Sequence, residues 1–112
     1  MDDFRSLANH FKREFAHIKI SIRRVKTPHY TIGDCFKKPD GSFSIRIRKT
    51  TDSEAQQLAL VHEMAHVLSW DTDMHPSEHG EMFGKAYAVA WRSYKRWTQC
   101  PSLIDMSKSQ TA

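Results

Sequence analysis

The stretch LVHEMAHVLSWDTDMHPSEHGEMFG, Leu60 to Gly84, holds four of the seven histidines of a 112-residue chain. Its first half is apolar at almost every position that is not His62, Glu63 or His66. His62 and His66 stand four apart, so on a helix their imidazoles lie one turn apart on one face and can converge on a single ion. Glu63 follows His62 at about 100° around such a helix, off the ligand direction yet within reach of a water beside the ion. This His-Glu-x-x-His spacing predicts two zinc ligands, His62 and His66, and one catalytic general base, Glu63. Two imidazoles and a carboxylate amid apolar residues are costly to bury without a partner, and a metal supplies one.

The surrounding residues predict the helix that carries the motif. Leu58, Val61, Ala65 and Leu68 form one apolar stripe and Leu60, Met64 and Val67 another, so the helix is expected in the middle of the domain. Thr51 with Glu54, or Ser53 with Gln56, has capping-box spacing at its start, and it should run to about Trp70. After DTDMHPS, Pro76 and Ser77 predict the start of a last helix reaching about Thr98. Its apolar stripe is Phe83, Tyr87, Ala90, Tyr94 and Trp97, with Lys85, Arg92, Lys95 and Arg96 turned outward. Pro101 is expected to end it, leaving residues 101–112 as a mobile tail beyond a single domain of residues 1–100.

A catalytic zinc takes three protein ligands and keeps a position for water. The candidates for the third are His75, His79, Glu78 and Glu81. A metzincin continuation is excluded, because Ser69 and Thr72 occupy its Gly and His positions. His79 is favoured, since it falls in the first turn of the last helix in line with Phe83, Ala86 and Ala90, whereas His75 belongs to the connecting loop.

Toward the N-terminus, Phe4, Leu7, Phe11 and Phe15 predict a helix over about residues 2–16. HIKISIRRV then alternates, with Ile18, Ile20 and Ile22 on one face and Lys19, Ser21 and Arg23 on the other. TPHYTIGDCF reads as a second strand, KKPDGS as a turn between antiparallel neighbours, and FSIRIRK as a third strand with Phe43, Ile45 and Ile47 toward the core. The class is α+β, with a small antiparallel sheet of about three strands between the N-terminal helix and the two C-terminal ones. If FSIRIRK is an edge strand, an extended peptide could pair with it, and Arg46 and Arg48 would border the cleft.

Seventeen Lys and Arg against thirteen Asp and Glu give a net charge of +4. Such an excess would assist a DNA contact through the basic rows of the sheet without requiring one. Cys35 and Cys100 form no CxxC pair, which excludes a zinc ribbon and suits reduced thiols in the cytoplasm. No apolar run has the length to cross a bilayer, so no membrane partner is expected.

HEMAH on a buried helix, followed by His79-Gly80 and the aromatic Phe83, resembles the SprT-like zinc metallopeptidase family, above all its small phage and bacterial members. The resemblance is detailed over about residues 58–94 and covers the helix, strand and hairpin before them in outline. It implies a zincin-like fold, His62, His66 and His79 as Zn2+ ligands, Glu63 as catalytic acid and base, and a protein or peptide substrate. The other reading is a small nucleic-acid-associated zinc module without peptidase activity. The sequence leaves the oligomeric state open.

Overall fold

The computed structural model describes residues 3–26, 31–71 and 79–111, with side chains as far as Gln99. Three helices and one sheet follow in the order α1 (Asp3–Glu14), β1 (Ile20–Val25), β2 (Gly33–Lys37), β3 (Phe43–Arg48), α2 (Ser53–Leu68) and α3 (Glu81–Thr111). The expected α+β class holds.

The sheet is mixed rather than antiparallel. Its order is β1-β3-β2, with β1 parallel and β2 antiparallel to β3. The turn after β2 forms as its residues dictate. Asp40 Oδ1 accepts from the Ser42 N–H at 2.9 Å, and Gly41 takes the positive φ of 89° that the reversal needs. The hairpin then lays β3 between β2 and β1. The physical reason is apolar content: Phe43, Ile45 and Ile47 are all buried, and the strand with most to bury takes the centre. FSIRIRK is therefore not an edge, and the expectation that a substrate pairs with it beside Arg46 and Arg48 is corrected. Arg46 is held across the strands by Asp34, with Nε and Nη2 donating to the two carboxylate oxygens at 2.9 and 2.6 Å. It also lies over the Phe36 ring. Arg48, half-buried, sits on the same central strand.

The central helix is capped by Asp52, not by Thr51 or Ser53. Its side chain accepts from the Ala55 N–H at 2.8 Å, while Thr51 turns its hydroxyl back to the Arg48 carbonyl. Asp can accept at this position without donating, and its charge suits the positive end of the helix. Both predicted stripes are used: Leu60, Val61, Met64 and Ala65 are wholly buried, and Leu58 alone of the two sets is exposed, at 37%.

Helix α3 begins later than Ser77, at Glu81, and its backbone runs on through Pro101 to Thr111. The proline thus does not end it. A proline removes one N–H from the helix ladder and crowds one carbonyl, whereas the other residues of these turns keep their bonds. The α3 stripe packs as expected, with Phe83, Ala90 and Tyr94 buried. Helix α1 closes the core through Phe4, Leu7 and Phe11. It is tied to α3 by His10, whose Nε2 lies 3.0 Å from both the Ser93 carbonyl and hydroxyl, and by Trp97 Nε1 donating to Ser6 Oγ at 3.1 Å. Glu14 and Arg96 add an ion pair at the surface. No helix among the described residues is long and apolar enough to cross a membrane.

Burial pushes the His10 pKa below its ordinary 6.5, aided by Arg13 and Arg96 and opposed by Glu14 and the Ser93 carbonyl. Below that value the unfolded chain binds more protons than the native one, so stability rises with pH through this window and is lost as pH falls. Relative to His10→Gln, the urea midpoint of the unaltered protein should therefore fall more, or rise less, as pH is lowered from about 7 to about 5, since the raised pKa of Glu63 acts in the opposite direction in both proteins. Equal slopes in the two proteins would remove His10 as its source.

Candidate metal centre

Helix α2 carries His62, Glu63 and His66 because its capped, apolar sequence makes it a helix, and tertiary burial fixes which way they point. His62 is half-buried and His66 buried. Their Nε2 atoms are 3.2 Å apart. His79 Nε2 lies 3.3 Å from that of His66, and one ligand atom from each of the three histidines falls within 4.8 Å of the others. Three separate imidazoles thus aim ring nitrogens at one point, a donor set that can hold a metal ion.

His79 reaches this point from a different position than expected. It precedes α3 rather than lying in its first turn, and the helix is entered through Gly80, whose carbonyl accepts from Gly84 N–H at 3.0 Å. The stripe argument survives in another form: the His79 ring stacks on Phe83, with centroids 4.5 Å apart. Phe83 also packs against His62 and His66, so one buried aromatic braces all three imidazoles. His75 and Glu78 lie outside the described residues. Glu81 opens α3 at the surface and faces Lys85 at 3.5 Å, apart from the histidine cluster.

The histidines and Glu63 have opposite electrostatic needs. Burial lowers the His62 pKa, and the neighbouring His66 and His79 lower it further, which favours the neutral imidazole that binds metals. Glu63 is 7% exposed. Burial raises its pKa to about 7, with Asp34 adding to the rise and a hydrogen bond from Cys35 opposing it. Burial also raises the Cys35 pKa, and Glu63 raises it further, so the thiol remains a proton donor to the carboxylate.

Nothing local in the sequence pairs Cys35 or Gly33 with Glu63. Their alternation in IGDCF puts them on one strand face, but only the packing of β2 on α2 brings that face to Glu63. Gly33 permits the close approach, because a Cβ there would lie 2.8 Å from Ile47 Cδ1, 3.2 Å from the Arg46 carbonyl oxygen and 3.4 Å from Glu63 Cγ. Between β2 and α2 runs an open groove in two parts that share Gly33, His62 and Glu63. One, of about 510 Å³, is lined by Thr31, Ile32, Ala55, Leu58 and Ala59. The other, of about 270 Å³, extends past Asp34, Cys35 and His66 to Trp70.

A sequence model of the SprT-like family matches residues 2–102. The chain belongs to the SprT-like family. Neither the curated proteins nor the solved structures gave a match. The family match spans all six elements, from α1 to the first part of α3 beyond Pro101. In this SprT-like chain the three histidines are drawn from α2 and from the segment entering α3.

Two glycines give opposed expectations. Gly33→Ala should lower stability by about 1–3 kcal/mol through overpacking. Gly84→Ala, where an added Cβ meets nothing within 4 Å, should raise it by roughly 0.5–1 kcal/mol through helix propensity. Urea unfolding of both variants checks this, and a harmless Gly33→Ala would contradict the tight strand-to-helix packing.

Proposed function

We propose that the protein is a zinc-dependent metallopeptidase, with His62, His66 and His79 as the ligands and Glu63 as general base and acid. The observation that carries this reading is the convergence of three imidazole nitrogens next to a buried carboxylate, on the floor of an open groove. At Zn–N bonds of about 2.0–2.1 Å, nitrogens at two corners of a tetrahedron stand about 3.3–3.4 Å apart. The two separations to His66, 3.2 and 3.3 Å, match that edge, while the three ligand atoms together spread over up to 4.8 Å. Among the described residues three histidines form the set, and three ligands leave the fourth position for a water or substrate, as a catalytic rather than a structural site requires.

When bound, the ion supplies Lewis acidity toward a water and an amide carbonyl. Glu63 takes a proton from the attacking water and returns it to the departing amine nitrogen. A pKa near neutrality suits a group that must both accept and release that proton. The Cys35 hydrogen bond restrains the carboxylate, and its burial against Gly33 keeps bulk water from competing for it.

Among the described residues, β2 is the sheet edge beside the groove. The Ile32 carbonyl accepts from Arg48 N–H in β3 and the Lys38 N–H donates to the Ser42 carbonyl just before it, so by strand alternation the main-chain groups of Gly33, Cys35 and Lys37 face away from β3. Gly33 and Cys35 line the groove, and a substrate backbone can add there as a further strand.

Purified Glu63→Gln should keep its zinc and lose casein cleavage by roughly 100-fold or more. His79→Ala should lose zinc, and a chelator should abolish cleavage by the unaltered protein. Metal analysis showing undiminished zinc in His79→Ala would remove that ligand. Zinc retained with no cleavage, with or without added DNA, would favour the nucleic-acid-associated binding module.

A further inference from the structure

We infer that the larger part of the groove selects an apolar side chain on the substrate residue beside the bond that is cut, with Leu58 and Ile32 as its walls and Ala55 and Ala59 as its floor. The inference rests on the metallopeptidase reading and adds a substrate class to it.

The geometry begins on α2. Ala55, Leu58, Ala59 and His62 recur at helical steps of three and four, so they share the face that carries the metal ligands. Leu58 stands one turn before His62, about 6 Å along the axis. An extended peptide advances roughly 3.3 Å per residue. A chain lying along β2 with its reacting carbonyl at the histidines therefore places the side chain of the next residue or two over Leu58.

The chemistry of the lining decides what that side chain is. Leu58 is 37% and Ile32 44% exposed, two of the larger apolar side chains left open among the described residues. They face a cleft of about 510 Å³ that also contains Thr31, Gly33, Ala55, Ala59, His62 and Glu63. The small alanines provide depth, and Leu58 and Ile32 provide apolar area. Among the described residues of this lining Glu63 is the sole acid, and none is Lys or Arg. A charged substrate side chain would lose hydration here with no opposite charge placed to receive it, apart from the carboxylate needed for the reaction. An aliphatic or aromatic one would remove Leu58 and Ile32 from water. The other part of the groove carries Asp34, Cys35 and Trp70, and the inference concerns the Leu58 side alone.

The test uses fluorescent peptides of one Gly/Ser background in which a single position is Leu, Phe, Ala, Asp or Lys. Binding is measured by anisotropy on zinc-loaded Glu63→Gln, and cleavage on the unaltered protein, with mass spectrometry locating the cut. Leu and Phe peptides should bind and be cut beside the varied residue roughly 10-fold better than Ala or Asp peptides. Leu58→Lys should erase that preference. Ala55→Leu, which fills the cleft, should reject Phe while keeping Ala. Thermal melts confirm that both variants fold, each change lying at a partly or largely exposed helix position. Cleavage or binding indifferent to the varied residue, or no peptide bound at all, would overturn the inference. Selective binding to Glu63→Gln with no cleavage by the unaltered protein would leave the cleft assigned and overturn the metallopeptidase reading instead.

Discussion

The burial of α2 is the constraint on which the rest of this structure depends. The helix has apolar residues on two sides and chemistry on a third, so it must be covered by the sheet on one side and by α1 and α3 on the others, yet keep one face open. Leu60, Val61 and Met64 are wholly inaccessible, and burying each such side chain contributes about 1.5–3 kcal/mol. The rise of the Glu63 pKa from 4.5 to about 7 corresponds to about 3 kcal/mol against the charged carboxylate. Apolar burial along the helix is therefore large enough to hold an otherwise unfavourable carboxylate in place. The polar groups of the site are positioned chiefly by hydrophobic packing, with the Cys35 hydrogen bond adding a restraint on Glu63.

The same packing joins the parts of the site. Phe83 belongs to the core cluster that includes Ala65 and Ala86 and also touches all three histidine rings. A residue that docks α3 on α2 thus sets the position of His79, although His79 itself is exposed. On the other side, β3 buries Ile45 and Ile47 and holds β2 by antiparallel pairing. That brings Gly33 and Cys35 to Glu63 and forms the groove wall. The metal face and the substrate face are consequences of two separate dockings onto one helix.

Much of this was written locally. The helical step between His62 and His66, the stripes of α1, α2 and α3 and the Pro-Asp-Gly turn each depend on neighbours within a few residues, and each appeared in the sequence. The errors arose where distant segments compete. Three alternating strands of similar length give no local signal for which lies in the centre, so the sequence leaves an edge position for β3 open. Thr51, Asp52 and Ser53 are all capable caps, and the choice of Asp52 depends on how the chain leaves β3. Pro76-Ser77 resembles a helix opening and predicts an earlier start for α3, whereas the helix begins at Glu81 and is entered through Gly80.

The sequence by itself determined that one helix bears two imidazoles on one face with a carboxylate beside them, because a helical step is a property of the backbone alone. It also determined that this helix is interior, since apolar residues on two sides have nowhere else to go. Only the tertiary structure decided that His79 meets His66 and that Cys35 meets Glu63. It decided too that β2 rather than β3 borders the groove. Those meetings join residues far apart in the chain, and what brings them together is the sum of core contacts, to which no single local pattern corresponds.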